Sequence, residues 1–170
     1  DKGKSWTSFA ADLPEDHVVH SIQQDHKNPE LLFIGTEFGV FTSLNGGKKW
    51  MQLKSGLPTI SIKDMAIQER ENDLVLASFG RGFYILDNYT PLRVLSEEML
   101  EKEAHIFDIE TADMFVETSS RGNQGSTYYT AANPEYGAHI RYYVNEVPKS
   151  SKAKRKEKEK ELFEEGAFIP

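Results

Sequence analysis

Two acidic residues fall at positions where a carboxylate could act on a substrate. Glu37 lies in the stretch TEFG and Asp64 lies in the stretch SIKDM. Glycosidic bonds are cleaved by a pair of carboxyl groups about 5 to 10 Å apart, one of them protonated. The sequence does not show that Glu37 and Asp64 approach each other, so the two are candidates for such a pair.

Three further residues could bind a ligand without reacting with it. Arg81 could hold a carboxylate or a sugar acid through its planar guanidinium group. Phe38 and Lys63 complete this set of ligand-binding candidates. In the alternative interpretation, Glu37 and Arg81 are turn residues that form surface ion pairs.

Several other chemistries lack the residues they need. The chain has no cysteine, which excludes disulfides, thiolate metal sites and a cysteine nucleophile within it. The histidines His17, His20 and His26 do not have the spacing of a known metal-ligand motif. The stretch GRG at 80–82 lacks the GxxxxGK[ST] spacing of a phosphate-binding loop, and neither GxSxG nor HExxH occurs. We therefore expect no metal and no cofactor.

The elements that would position these residues repeat along the first half of the chain. LLFIGTEFGVFTSLN (31–45) aligns with LVLASFGRGFYILDN (74–88), 43 positions later. WTSFAADLP and WMQLKSGLP repeat in the same phase, with Trp6 and Trp50 separated by 44 positions. Short apolar segments bounded by Gly, Asn and Asp predict strands, and a period of about 40 to 50 residues built from strands is typical of propeller blades.

We predict strand–turn–strand units at 31–44 and 74–87, a further strand at 50–53, and inner strands near 18–24 and 62–68. In an up-and-down blade, successive turns alternate between the two ends of the sheet. The starts of the inner strands therefore share one end with the turns TEFG and FGRG. The candidates at that end are Glu37, Phe38, Lys63, Asp64 and Arg81.

The stretch SLNGGKKW (43–50) combines turn residues with a core residue. Its glycines can adopt positive φ in a tight turn, and Asn45 can hydrogen-bond the backbone of that turn. Trp50 opens the next strand and can bury its ring between neighbouring sheets.

This stretch resembles the Asp-box of BNR-repeat propellers, Ser-x-Asp-x-Gly-x-Thr-Trp. Ser43, Gly47 and Trp50 match the motif, whereas Asn45 replaces the Asp and Lys49 replaces the Thr. The first residues, DKGKSW, match its latter part through Asp1, Gly3, Ser5 and Trp6.

The resemblance extends over residues 1–145. GTEFGVFTSLNGGKKW, NDLVLASFGRGFYILDNYTPLR and QGSTYYTAANPEYGAHIRYY are similar to the closing blades of large bacterial proteins labelled sortilin-like or BNR-repeat glycosyl hydrolases. The resemblance implies a C-terminal fragment of a propeller that is secreted or periplasmic. It also implies that the parent binds a glycan, peptide or protein.

In such a propeller the Asp-box stabilises the fold and lies away from any site. The residues given this structural role are Asp1, Gly3, Trp6, Ser43, Asn45, Gly47 and Trp50. We expect a ligand-binding module without activity of its own. The alternative is part of a glycosyl hydrolase acting on an extracellular glycan, with most catalytic residues outside this chain.

The predicted fold class is mainly β, in three segments. Residues 1–90 form a partial propeller of about two four-stranded antiparallel blades. Residues 91–135 form a linker with a short helix at 96–105, and residues 136–170 begin a second β-domain that carries a charged insertion. That insertion, KSSKAKRKEKEKELFEE, predicts a solvated helix or a disordered segment.

Charge and hydropathy narrow the choice of partners. A net charge of −7 argues against a nucleic-acid binder, and no apolar run is long enough for a membrane helix. Two blades cannot close a propeller, so we expect the chain to be a piece of a larger protein. Sheet faces and edges that other blades would cover would then be exposed, which predicts self-association.

Overall fold

The computed structural model describes residues 2–10, 12–112, 114–116 and 135–166. Over these residues the fold is mainly β, with antiparallel sheets of four, three and two strands and a C-terminal helix. The chain divides into two compact units, Asp1–Met99 and Leu100–Pro170.

The first sheet has the strand order β1-β2-β3-β4 and is antiparallel throughout. Its strands are β1 (Val19–Gln24), β2 (Leu32–Thr36), β3 (Gly39–Ser43) and β4 (Met51–Leu53). All four lie within the predicted segments, which confirms this part of the prediction. Every residue of β2 and β3 is buried, because both faces of this sheet are covered.

The second sheet contains β5 (Ile62–Gln68), β6 (Asp73–Ser78) and β7 (Phe83–Leu86). The prediction of four strands here is wrong, since three strands pair in the described part of the chain. The repeat would place a fourth strand at 94–96. Instead the chain enters the short helix α1 (Pro91–Val94), where proline suits the first turn and lacks the N–H that a strand would donate.

The two sheets pack against each other through one face of each. Their shared core is formed by Leu31, Phe33, Val40, Ile62, Met65, Leu74, Leu76 and Tyr89. The closest approach is at Gly35, where an added Cβ would lie 2.9 Å from Ile62 Cγ2 and 3.0 Å from the Ile62 carbonyl oxygen. A residue without a side chain is therefore needed where β2 meets β5.

The outward faces of the two sheets differ. Leu32, Ile34, Phe41 and Trp50 of the first sheet form a second cluster with Leu13. On the second sheet, Phe83 is 74% exposed and Ile85 is 58% exposed. The second sheet thus has the uncovered apolar surface that the sequence led us to expect.

The second unit contains a small sheet and a charged helix. A single turn, α2 (Glu97–Leu100), precedes β8 (Ala104–Ile106), which pairs antiparallel with β9 (Tyr142–Val144). The predicted helix at 96–105 is wrong beyond Leu100, because residues 104–106 pair as a strand instead.

The charged run forms the helix α3 (Ser151–Glu164), in which no residue is buried. Its first turn is capped by Ser150, whose Oγ accepts a hydrogen bond from the Ala153 N–H at 3.2 Å. Ion pairs one turn apart join Arg155 to Glu159 and Lys160 to Glu164. This outcome confirms the solvated-helix interpretation. Each helix in the described ranges is too short or too polar to cross a bilayer.

Candidate functional site

The inner strands of the two sheets begin at the same end of the first unit. His20 on β1 lies beside Lys63 on β5, and further along the strands the Gln23 Nε2 donates to the Met65 carbonyl at 2.7 Å. β1 and β5 therefore run side by side in the same direction. We call the end where they start, together with the β2–β3 and β6–β7 turns, the β1/β5 end.

A cavity of about 400 Å³ opens at the β1/β5 end of the first sheet. The segment before β1, the β2–β3 turn, the end of β4 and the loop that follows it form its walls. The lining residues are His17, Phe38, Gly39, Gln52, Leu53, Lys54, Leu57, Pro58 and Thr59. Of the predicted site residues, Phe38 belongs to this lining.

His17 is one of the polar residues that line this cavity. Its ring packs against Phe38 at a centroid distance of 4.8 Å and edge-on against Phe41 at 5.5 Å. Its Nδ1 is buried and has no hydrogen-bond partner in the structure. A buried polar atom without a partner costs about 1 to 3 kcal/mol, so the packing of the His17 ring on Phe38 and Phe41 must offset that cost.

The remaining lining residues define the chemistry of the cavity. Gln52 Nε2 donates to the Phe38 carbonyl at 3.1 Å and so ties the aromatic turn to the end of β4. Lys54 supplies a positive charge, and none of the described residues that line the cavity is acidic. The cavity therefore suits a ligand that carries an anionic or hydrogen-bond-accepting group beside an apolar group.

A second group at the same end contains the predicted residue Lys63. Its Nζ lies 3.0 Å from His20 Nε2 and 5.6 Å from the centre of the Phe79 ring. An ammonium group can only donate, so the His20 Nε2 atom is the acceptor in this contact. Lys63 is thereby held between β1 and the β6–β7 turn.

The two candidate carboxylates are not joined by a hydrogen bond, and both belong to the described residues. Glu37 is half-buried in the β2–β3 turn, where its N–H donates to the Val18 carbonyl at 3.2 Å. Asp64 is exposed on β5, and its Oδ1 accepts from the Met65 N–H at 2.9 Å. Neither residue lines the cavity. Arg81 is exposed in the β6–β7 turn, between two glycines with positive φ.

The Asp-box-like stretch forms a closed turn at the opposite end of the first sheet. Ser43 Oγ accepts from the Gly47 N–H at 2.9 Å and donates to Asn45 Oδ1 at 3.0 Å. The same Asn45 oxygen accepts from the Lys49 N–H at 2.9 Å. Asn45 Oδ1 thus accepts two of the hydrogen bonds that close this turn, and the positive φ of Gly47 allows the chain to turn.

The two tryptophans of the repeat have different surroundings. Trp50 is 6% exposed, and its Nε1 donates to the Phe9 carbonyl at 2.8 Å. Its backbone N–H donates to Asp12 Oδ1 at 2.8 Å. Trp6 is 92% exposed, Gly3 has a φ of 80°, and Asp1 lies outside the described residues.

A buried charged cluster, Asp25–Tyr89–Arg93, was not anticipated from the sequence. Arg93 forms a bidentate pair with the Asp25 carboxylate at 2.7 and 2.9 Å, and the Tyr89 hydroxyl donates to it at 2.6 Å. The N–H groups of Lys27 and Asn28 donate to the same carboxylate. The cluster ties the end of β1 to the segment after β7, and a local motif cannot reveal partners that lie more than 60 positions away.

The surroundings of this cluster change its protonation equilibria. Burial alone would raise the pKa of Asp25, but the hydrogen bonds from Arg93, Tyr89 and the backbone together hold that pKa well below its usual range. Burial and the adjoining carboxylate raise the pKa of Tyr89, and hydrogen bonding to Asp25 raises that of Arg93. Asp25 is therefore ionised and serves the fold.

Among the residues that the structure describes, no group of three or more His, Asp or Glu side chains is arranged to hold a metal ion. No protein-family model matches the chain, and neither a curated protein nor a solved structure matches it.

Proposed function

We propose that the chain is part of a BNR-repeat, sortilin-like β-propeller and acts in it as a non-catalytic ligand-binding module. Three features support the propeller. The repeat returns after 43 positions, the inner strands β1 and β5 lie side by side, and an Asp-box-like turn closes the opposite end of the first sheet. A secreted or periplasmic parent belongs to the same proposal.

The ligand binds in the cavity at the β1/β5 end. The observation that carries this proposal is a cavity lining without acidic residues that combines the half-exposed ring of Phe38, the charge of Lys54 and the polar side chain of His17. The matching ligand is a peptide, protein segment or glycan that presents a carboxylate next to an apolar surface. The carboxylate binds near Lys54 and His17, and the apolar part packs on Phe38.

The composition of the cavity favours binding over glycoside hydrolysis. Hydrolysis needs two carboxyl groups on either side of the bond that breaks. The cavity lining contains none, and Glu37 and Asp64 lie on separate elements outside it. A ligand held in this cavity therefore meets hydrogen-bonding and apolar groups and no acid–base pair.

The test is binding of the full chain to two paired sets of probes. The first set is peptides with a free or an amidated C terminus, and the second is oligosaccharides with or without uronate groups. We expect capture of the carboxylate-bearing member of at least one pair. Lys54→Glu should weaken that binding by at least about tenfold, which corresponds to about 1.4 kcal/mol.

Lys48→Glu is the matched control, because it makes the same charge change on an exposed residue at the opposite end of the first sheet. It should leave affinity unchanged. Equal losses in both variants, or equal capture of both members of each pair, would contradict the proposed site. If the chain turned over a chromogenic glycoside and Glu37→Gln or Asp64→Asn abolished that turnover, hydrolysis would replace ligand binding as the proposed function.

A further inference from the structure

Strand β7 is the open edge of the second sheet. In the first sheet the corresponding strand, β3, pairs with β4 on its outer side. In the second sheet the order ends at β7, and no described strand pairs with its outer side. The internal repeat therefore shows that this edge has the geometry to accept one more antiparallel strand.

The hydrogen-bonding register of β7 shows which backbone groups are available. Gly82 accepts from the Ser78 N–H at 3.0 Å, and Tyr84 lies opposite Leu76 on β6. Because bonding alternates along an antiparallel strand, Gly82 and Tyr84 direct their backbone groups toward β6. The N–H and C=O groups of Phe83 and Ile85 therefore point to the open edge.

We propose that β7 pairs with β7 of a second copy of this chain, so that the two three-stranded sheets join as one six-stranded sheet. For the two strands to bond, residues whose backbone groups point to the open edge of one copy must lie opposite such residues of the other copy. The antiparallel register with the most bonds places Phe83 opposite Ile85 of the second copy and the two Tyr84 residues opposite each other. This arrangement is two-fold symmetric and forms four backbone hydrogen bonds, two at each Phe83–Ile85 pair.

The charges at both ends of β7 favour a second copy as the occupant. The strand FYIL has no charged residue, and it is flanked by Arg81 on one side and Asp87 on the other. In the proposed register, Arg81 of each copy lies opposite Asp87 of the other. The edge also lacks the lysine, proline or bulge that commonly prevents strands from pairing.

The side chains on both faces of β7 are compatible with this pairing. On the exposed face, Phe83 and Ile85 form cross-strand aromatic and β-branched pairs. On the other face, an apolar cavity of about 310 Å³ adjoins Tyr84 and Leu86 and is also lined by Leu53 and Leu57. That cavity gives the Tyr84 side chain of the second copy an apolar surface to pack against.

A single introduced cysteine tests the register, because the chain has none of its own. At a non-hydrogen-bonded antiparallel pair the two Cα atoms lie about 4.5 Å apart, within the range that a disulfide spans. Tyr84→Cys should therefore form a disulfide-linked dimer under mild oxidation. The matched controls are Phe83→Cys and Ile85→Cys, which are more exposed but do not face themselves, and they should cross-link less.

A second pair of variants tests the edge without relying on Tyr84. Ile85→Pro removes an N–H that makes no bond within the sheet, so the fold should survive while pairing is blocked. Ile85→Thr keeps the N–H. Light scattering should show a dimer for the wild type and for Ile85→Thr. For Ile85→Pro the dimer dissociation constant should rise at least about tenfold.

A wild-type chain that is monomeric at tens of micromolar would overturn the proposal. So would a dimer that persists in Ile85→Pro, or cross-linking that is faster at 83 or 85 than at 84. Circular dichroism of each variant confirms that the sheets are intact before the comparison is made.

Discussion

At the scale of single residues, the Asp25–Tyr89–Arg93 cluster makes the most direct stability prediction. Arg93→Leu removes the bidentate partner and leaves the buried Asp25 carboxylate without its positive charge. We expect a loss of about 3 to 5 kcal/mol in the free energy of unfolding, measured with urea. The control Arg70→Leu removes an exposed ion pair with Glu71 and should cost less than about 1 kcal/mol.

The same cluster predicts how stability depends on pH. The folded-state pKa of Asp25 is depressed, so its contribution is fully present above the ordinary aspartate pKa. It is lost as the pH falls from there toward the folded-state pKa. Urea midpoints between about pH 7 and pH 3 should therefore fall more steeply in the wild type than in Asp25→Asn. Parallel curves would show that this carboxylate is not the group responsible.

Residues could be placed from the sequence where their partners are close along the chain. Ser43, Asn45 and Gly47 interact within one turn, so their spacing alone indicated the turn geometry. Arg93 and Asp25 are 68 positions apart, and their contact depends on how two sheets pack. Phe38 was predicted as a ligand-binding residue from its position in the β2–β3 turn. Gln52 and Lys54 were not predicted, because they reach the cavity only through the packing of β4 and the loop after it.

At the scale of secondary-structure elements, Gly35 controls the distance between the two sheets. Gly35→Ala would place a Cβ against Ile62 and the Ser21 hydroxyl, so β2 and β5 must separate. We expect a loss of about 1 to 3 kcal/mol from this overpacking. Ser21→Ala is the companion variant on β1. It removes a buried hydroxyl that has no hydrogen-bond partner and should leave the melting temperature unchanged or raise it. A destabilised Ser21→Ala together with a neutral Gly35→Ala would contradict this packing.

Strand predictions succeeded where short apolar segments alternate with Gly- and Asn-containing turns. All strands of the first two sheets lie within one or two residues of their predicted positions. The fourth strand predicted for the second repeat does not form in the described residues, because the chain enters α1 at Pro91. The helix predicted at 96–105 is too long at its C-terminal end, because residues 104–106 form β8 and pair with residues 142–144.

At the scale of the whole molecule, the charged helix α3 should be dispensable for the sheets of the first unit. None of its residues is buried, so the helix adds little to a hydrophobic core, and its cap and ion pairs lie within the second unit. Lys156→Pro should reduce far-UV helicity relative to Lys156→Ala. The unfolding midpoint followed by Trp50 fluorescence, in a Trp6→Phe background, should stay the same in both variants. A shift of that midpoint would show that α3 supports the first unit.

The most direct measurement for the proposed function is a nuclear magnetic resonance titration of the full chain with a small acid of matching chemistry. N-acetyl-leucine combines a carboxylate with an apolar side chain, and its amide is the neutral control. We expect shifts in the backbone signals of His17, Phe38, Gln52 and Lys54 with the acid, and much weaker shifts with the amide. Shifts that appear only around Glu37, Asp64 and Arg81, or that are the same for acid and amide, would contradict the proposed function.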